Sequence, residues 1–230
     1  MELSKRLESI IKHADKVSVL SDIGTDHGYI PLYALKNEIC DKAIAIDINK
    51  DPLDKARLNA VLEGAGDEVE FRLGGGLSPL NNGEANAAII AGMGGNLIKD
   101  ILEEGIEKAT SMEYLILQPA QNPEVLREYL YNNDFEVLVE DLCEDEGIFY
   151  EVFKVKVKEG EKTKLDEIYY EISPSLLRQK HSLMKAYIEH KLVENKRILG
   201  FISDETPLAL NRKEQVTEKI KILEGIANYL

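Results

Sequence analysis

The chain has 230 residues, 44% of them apolar or aromatic, enough for a core of ordinary size plus a smaller appendage, and its formal net charge is −14. No run approaches the roughly 20 uncharged apolar residues of a membrane-spanning helix, and the opening Met-Glu-Leu-Ser-Lys-Arg-Leu lacks the apolar stretch of a signal peptide. A cytoplasmic chain with no membrane partner is expected, and an acidic body of this kind does not suit broad phosphate binding.

The charge is unevenly divided. Residues 1–159 hold 16 Lys and Arg against 31 Asp and Glu, a net of −15, whereas residues 160–230 hold 12 against 11, a net of +1. Two domains are therefore expected, 1–159 and 160–230, with the boundary in the polar run around Glu159-Gly160-Glu161-Lys162. Any RNA partner would be tolerated best by the second.

In chain order, β-branched runs at 17–23, 43–48, 69–73, 87–91 and 114–117 alternate with amphipathic segments, the pattern of a parallel α/β sheet. Asp51-Pro52 and Asn122-Pro123 each place a capping side chain ahead of a proline at a helix start. The runs at 135–142 and 148–157 are too close for a crossover helix, so an antiparallel hairpin is expected at one sheet edge. Beyond residue 160, 175–202 and 207–230 predict two long helices separated by Ser-Asp-Glu-Thr-Pro. The stripes Leu177, Met184, Ile188, Leu192, Leu199, Ile202 and Val216, Ile220, Leu223, Ala227, Leu230 predict an antiparallel coiled-coil hairpin. The fold class expected is thus a Rossmann-like α/β methyltransferase sheet followed by a helical hairpin. Cys40 and Cys143 sit in apolar runs without metal-ligand spacing and predict buried free thiols.

The sharpest local signal is the strand and turn Val19-Leu20-Ser21-Asp22-Ile23-Gly24-Thr25-Asp26-His27-Gly28-Tyr29, with a helix opening near Pro31. In a doubly wound sheet such a turn lies at the cofactor crevice, and Gly24 lets the backbone approach a ligand closely. Asp26 stands where a dinucleotide fingerprint has its second glycine, and a carboxylate there repels pyrophosphate. Asp22 at the strand end instead suits a cofactor bearing an ammonium and a sulfonium, S-adenosyl-L-methionine. Asp47, 23 residues after Gly24 and followed by Ile48, is placed to accept from a ribose, or else to cap the next helix. Gly74-Gly75-Gly76 and Gly92-Met93-Gly94-Gly95 follow the third and fourth strands, suited to adenine on one side and a substrate base on the other, or to close strand–helix packing. Gln118 and Pro119 end the fifth strand on the same rim, and Lys5 and Arg6 are basic candidates for an RNA substrate.

These strings together resemble the TrmK family, bacterial methyltransferases that modify N1 of adenine 22 in tRNA. The resemblance rests on Leu3-Ser4-Lys5-Arg6-Leu7, Asp22 to His27, Ile90-Ala91-Gly92-Met93-Gly94-Gly95, Leu115-Ile116-Leu117-Gln118-Pro119 and the helical hairpin. It implies S-adenosyl-L-methionine as cofactor, tRNA as partner, a coiled coil that aids tRNA binding, and Asp26 as a carboxylate important for activity. This chain departs from the family pattern at Gly75, where an acid would accept from the cofactor's adenine amine, and at Ala120, where Asn would stand.

Adenine N1 carries an in-plane lone pair, so no metal is required and positioning should dominate. Asp26 is expected to offset the charge of the cationic product ring and His27 to orient the base or take a proton after transfer. Tyr29, Met93 and Tyr33 are the candidates for packing against the unpaired base. A monomer is expected. The alternative is a small-molecule methyltransferase whose hairpin serves dimerisation; a cofactor-fold relic that binds a partner is a third class.

Overall fold

Unbroken burial over 20–23, 43–47, 87–90 and 114–119 of the central strands gives the sheet a core on both faces. The structure, a computed structural model, describes residues 3–203 and 206–230. The elements in order are α1 (Lys5–Ile11), β1 (Val17–Ile23), α2 (Tyr29–Lys36), β2 (Cys40–Asp47), α3 (Lys50–Leu62), β3 (Val69–Leu73), β4 (Ala87–Gly94) and α4 (Gly95–Glu104). They continue with α5 (Ile106–Thr110), β5 (Tyr114–Gln121), α6 (Pro123–Asn132), β6 (Phe135–Asp145) and β7 (Ile148–Val157), then α7 (Glu167–Glu171), α8 (Pro174–Arg178), α9 (Met184–Phe201) and α10 (Pro207–Tyr229). The strands form one sheet in the order β3-β2-β1-β4-β5-β7-β6, parallel except for β7, which runs antiparallel to both neighbours.

Residues one apart point to opposite faces. Ala43, Ala45, Ala87 and Ile89 pack with Ile10 of α1, Ile30 of α2 and Ala60 of α3, whereas Ile44, Ile46, Ala88 and Ile90 pack with Ile98 and Leu102 of α4 and Leu126 of α6. The chain steps outward from β1 to β3 and then returns to β4, so the carboxyl ends of β1 and β4 meet at the topological switch point. Tyr33 is partly buried and packs against the core of the first face. Cys40 and Cys143 are buried free thiols.

Several boundaries differ from those the sequence predicts. The strand expected to end at Ala91 continues through Gly94, and the one expected to end at Leu117 runs to Gln121. They stay paired because the register shifts between Ala91 and Gly94, and Gly92, at φ +77°, adopts a backbone that other residues resist. Asp51 is not a cap: α3 starts two residues earlier, at Lys50 after Asn49, which leaves Asp51 inside the first turn. Asn122 does occupy the cap position of α6, with Pro123 following, but at φ 53° its side chain makes no capping bond. Helix α2 opens at Tyr29, ahead of Pro31, after left-handed Gly28. The edge hairpin turns through Glu146 and Gly147, both at positive φ, the conformation that matches the twist of two antiparallel strands.

The chain divides into two compact units, residues 1–165 and 166–230, six residues later than the boundary expected at the polar run. In the second, the helix predicted over 175–202 is interrupted: α8 ends at Arg178, and Lys180 at φ 50° precedes a fresh start at Met184. Helix α7 was not expected. Thr206 caps α10, accepting from the Ala209 N–H at 3.3 Å; Asp204 and Glu205 of the predicted break lie outside the described residues. Helices α9 and α10 pack against each other, with Met184, Ile188, Val216, Ile220 and Leu223 buried and Lys196 paired to Glu224 at 2.7 Å. Leu192, Leu199, Ile202 and Ala227 are half-buried and Leu230 is exposed. Among the described residues no helix is long and apolar enough to cross a membrane, and no cluster of three His, Cys, Asp or Glu is disposed to hold a metal.

Candidate active site

The first two N–H groups of the turn after β1 are spent on backbone bonds. The N–H groups of Gly24 and Thr25 both donate to the Ile46 carbonyl, at 2.8 and 3.0 Å. A pyrophosphate-binding turn would offer such groups to the ligand. Gly24 sits at φ +77°, a backbone other residues resist, and a Cβ there would stand 2.4 Å from Met93 Cε, so a side chain at this position would displace Met93 from the cleft.

Three carboxylates surround this turn. Asp22 is buried, and burial pushes its carboxyl up to about 7, with the Thr25 hydroxyl opposing the rise and the charges of Asp47 and Asp26 adding to it. Asp47 is also buried; one of its oxygens accepts from the Asn49 N–H at 2.8 Å, and so it shapes the turn into α3 while its other oxygen remains for a ligand. The Thr25 hydroxyl, 6% exposed, has no well-formed hydrogen bond. A buried orphan hydroxyl beside a partly protonated acid fits the ammonium and carboxylate of an amino acid better than it fits an empty pocket. Sequence reasoning missed Thr25, because a hydroxyl in a turn is an ordinary turn residue until its isolation is seen.

From here a cleft of about 470 Å³ runs between Ile48 and Asn49 on one side, Gly74, Gly75 and Gly76 below, and Met93 with Leu97, Ile101 and Glu104 of α4 on the other. That volume is within the usual range for small-molecule sites. The glycines have different reasons to be there. A Cβ on Gly74 would meet Pro79 Cγ at 2.5 Å, so that glycine serves the loop's own packing, whereas Gly75 faces the cleft, with Ile48 Cδ1 at 3.8 Å from its missing Cβ. Gly95 has no room for a side chain, because the Asn122 carbonyl stands 2.2 Å from where its Cβ would be. Leu97, Ile101 and Glu104, spaced as one helix face, are further lining residues that the sequence analysis did not single out.

The outer rim carries Asp26, His27 and Tyr29. Asp26 takes a left-handed backbone (φ 49°), unusual for a side chain and characteristic of functional turns, and its side chain is 69% exposed. His27 Nε2 is 3.7 Å from Asp26 Oδ1, and its ring stacks on Tyr29 at 5.5 Å with planes 18° apart. Asn59 of α3 fixes the turn from behind by donating to the His27 carbonyl at 2.9 Å. Along the β4–β5 rim, Gly94 faces open space, Pro119 is buried, and Gln118 is fully buried with its amide committed: its oxygen accepts from Arg6 at 2.8 Å and its nitrogen donates to the Pro119 carbonyl at 2.8 Å. Thus Arg6 is brought to the rim, while Lys5 is exposed beside it on α1.

The sequence profile described as tRNA (adenine(22)-N(1))-methyltransferase matches residues 20–225. The tRNA (adenine(22)-N(1))-methyltransferase of Bacillus subtilis is 31% identical over 239 aligned positions, covering all of this chain and 98% of that protein. The crystal structure of the B. subtilis M1A22 tRNA methyltransferase TrmK superposes with a TM-score of 0.86 at 29% identity, over 98% of this chain and 99% of that one. A structure of M. capricolum TrmK in complex with S-adenosyl-homocysteine gives 0.83 at 25% identity, over 98% and 100%. With sheet order, switch-point cleft and full-length similarity in agreement, the chain belongs to the TrmK family, the tRNA (adenine(22)-N(1))-methyltransferases.

Proposed function

We propose that this protein methylates N1 of adenine 22 in tRNA, using S-adenosyl-L-methionine, in the cytoplasm. The observation that carries the reading is the acid-lined turn at the switch point, whose Gly24 and Thr25 N–H groups are spent on the Ile46 carbonyl and whose Asp26 is turned out beside His27 and Tyr29. A cationic cofactor suits such a site and a phosphate-bearing one does not.

The cofactor, when bound, supplies an electrophilic methyl group on a sulfonium. Asp22 and Thr25 would hold its amino-acid end, the remaining oxygen of Asp47 its ribose, and Ile48 would lie against its adenine opposite Gly75. Adenine N1 needs no proton removed before attack, since its lone pair lies in the ring plane and is free. Asp26 offsets the positive charge that develops on the target ring and accepts from its exocyclic amine. The stacked His27 and Tyr29 present a flat surface beside which an unpaired base can be oriented, with Met93 as its apolar contact. Residues 166–230 supply the near-neutral unit that aids tRNA binding.

The test is transfer of labelled methyl to tRNA transcripts with adenine or guanine at position 22, followed by nucleoside mass spectrometry. N1-methyladenosine is expected from the adenine transcript alone. Label appearing on neither transcript, with cofactor binding intact, would favour a small-molecule substrate instead.

A further inference from the structure

Unit 1 is strongly acidic, and its arginines are accordingly neutralised. Arg57 pairs with Asp54, Arg72 with Glu70 and Glu84, and Arg127 with Glu140 and Glu151. Arg6 is the exception: among the described residues its guanidinium has no carboxylate partner. Its side-chain bond goes to a neutral amide, Nη1 to Gln118 Oε1 at 2.8 Å, while the nearby Asp145 accepts from the Arg6 backbone N–H at 3.1 Å. The guanidinium carbon lies 5.8 Å from the Tyr150 ring centroid, and a Cβ on Gly92 would stand 3.5 Å from Nη1. An uncompensated arginine is therefore held over the β4–β5 rim, next to Gly92, one residue along the strand from cleft-lining Met93.

Considerable machinery keeps it there. Helix α1 is clipped along β6 by Ser9 to Cys143 at 3.1 Å and by Lys12 and His13 to Asp141 at 2.5 and 2.9 Å. Gln118, with no exposed surface and both ends of its amide engaged, cannot read a base edge without breaking a buried bond.

We infer that Arg6 clamps a phosphate of the target nucleotide and that Gln118 is a positioning residue that acts through Arg6 rather than by touching the base. The inference rests on the proposed tRNA reaction. One guanidinium edge is spent on Gln118, and the remaining donors form the planar fork that suits phosphate. A single anchored cation near the reacting centre would fix the nucleotide while the rest of the acidic surface repels nonproductive backbone contacts.

The experiment is a double-mutant cycle on the full-length chain with the adenine-22 transcript, measuring kcat, KM, binding across salt concentrations and S-adenosyl-homocysteine affinity. Arg6→Ala should lower kcat/KM for tRNA by about 10- to 100-fold, the loss expected for a charge-assisted hydrogen bond, and reduce the salt slope by close to one phosphate's share. Gln118→Ala should act in the same direction, and the double variant should be no worse than Arg6→Ala. Gln118→Glu, which sets a carboxylate against Arg6, should neutralise the cation and flatten the salt slope as Arg6→Ala does; Arg6→Lys, which keeps the charge without the fork, should retain the slope with a reduced kcat/KM, and it carries the test if the Gln118 variants fail to fold. Cofactor affinity should not change in any of them. Additive losses, or an unaltered salt slope in Arg6→Ala, would overturn the inference while leaving the methyl-transfer assignment standing. If the wild-type protein leaves the transcript unmethylated, both fall.

Discussion

At the scale of single residues, Asp22 makes the site's response to pH predictable. In the free protein its carboxyl titrates near 7, so below that pH it holds a proton that a neighbouring ammonium would expel. Cofactor affinity should rise with pH up to about 7 and then level off, with proton release seen calorimetrically in buffers of different ionisation enthalpy. A flat profile would take Asp22 out of the cofactor contacts. The same shift has a cost for the fold. An unfolded aspartate titrates near ~4, so between there and about 7 the folded state binds the extra proton, and the contribution to stability is lost as pH rises through that window. Asp22→Asn should consequently raise the thermal midpoint at pH 8 while weakening cofactor binding. Asp26 makes the opposite case, because its exposed side chain on a left-handed backbone contributes little to packing. Asp26→Ala should leave cofactor affinity intact and cut methyl transfer by roughly 100-fold or more, as loss of an electrostatic stabiliser does; unchanged turnover would remove it from the reaction.

At the scale of elements, the antiparallel edge depends on a buried ionic knot. Arg127 of α6, with no exposed surface, donates through Nε to Glu140 of β6 at 2.9 Å, pairs with Glu151 of β7 and lies 4.9 Å above the Phe153 ring. Tyr131 donates to the other Glu140 oxygen at 2.7 Å. Removing the cation leaves two buried carboxylates facing each other, and Arg127→Ala should cost about 3–5 kcal/mol in chemical denaturation. A loss below ~1 kcal/mol would mean that the edge holds without the knot. Because β6 also carries Asp141, Cys143 and Asp145, which clip α1, loosening this edge should reach Arg6 as well. Burial pushes the Asp141 carboxyl up, but the bonds from His13 and Lys12 outweigh it and hold the group well below the usual carboxylate range.

For the whole molecule, charge partition suggests how an acidic enzyme engages RNA. Residues 160–230 are close to neutral while the remainder carries nearly the entire negative charge. A chain lacking residues 166–230 should bind tRNA more weakly and with a shallower salt dependence, provided circular dichroism and S-adenosyl-homocysteine binding show the remaining unit folded. An unaltered salt slope would assign tRNA binding to unit 1 alone.

The strands, helix punctuation and the Asp22–Gly28 turn were legible in the sequence because each is a local pattern: a short run of β-branched and other apolar residues sets a strand buried on both faces, and a glycine among acids defines a cofactor turn of a particular charge. The hairpin edge and the family resemblance were legible for the same reason. What the sequence left open depended on neighbours distant in the chain. Asp51 looked like a cap until Asn49 took that place, and 175–202 looked like one helix because its stripe is continuous in sequence though broken in space. Gly74, Gly75 and Gly95 are indistinguishable as letters. Pro79, Ile48 and the Asn122 carbonyl set what a side chain at each would meet. Likewise Gln118 is an amide at a strand end until Arg6, 112 residues earlier, is found bonded to it. Local sequence sets which conformations and charges are available, and only the packed sheet determines which groups are brought within hydrogen-bonding distance.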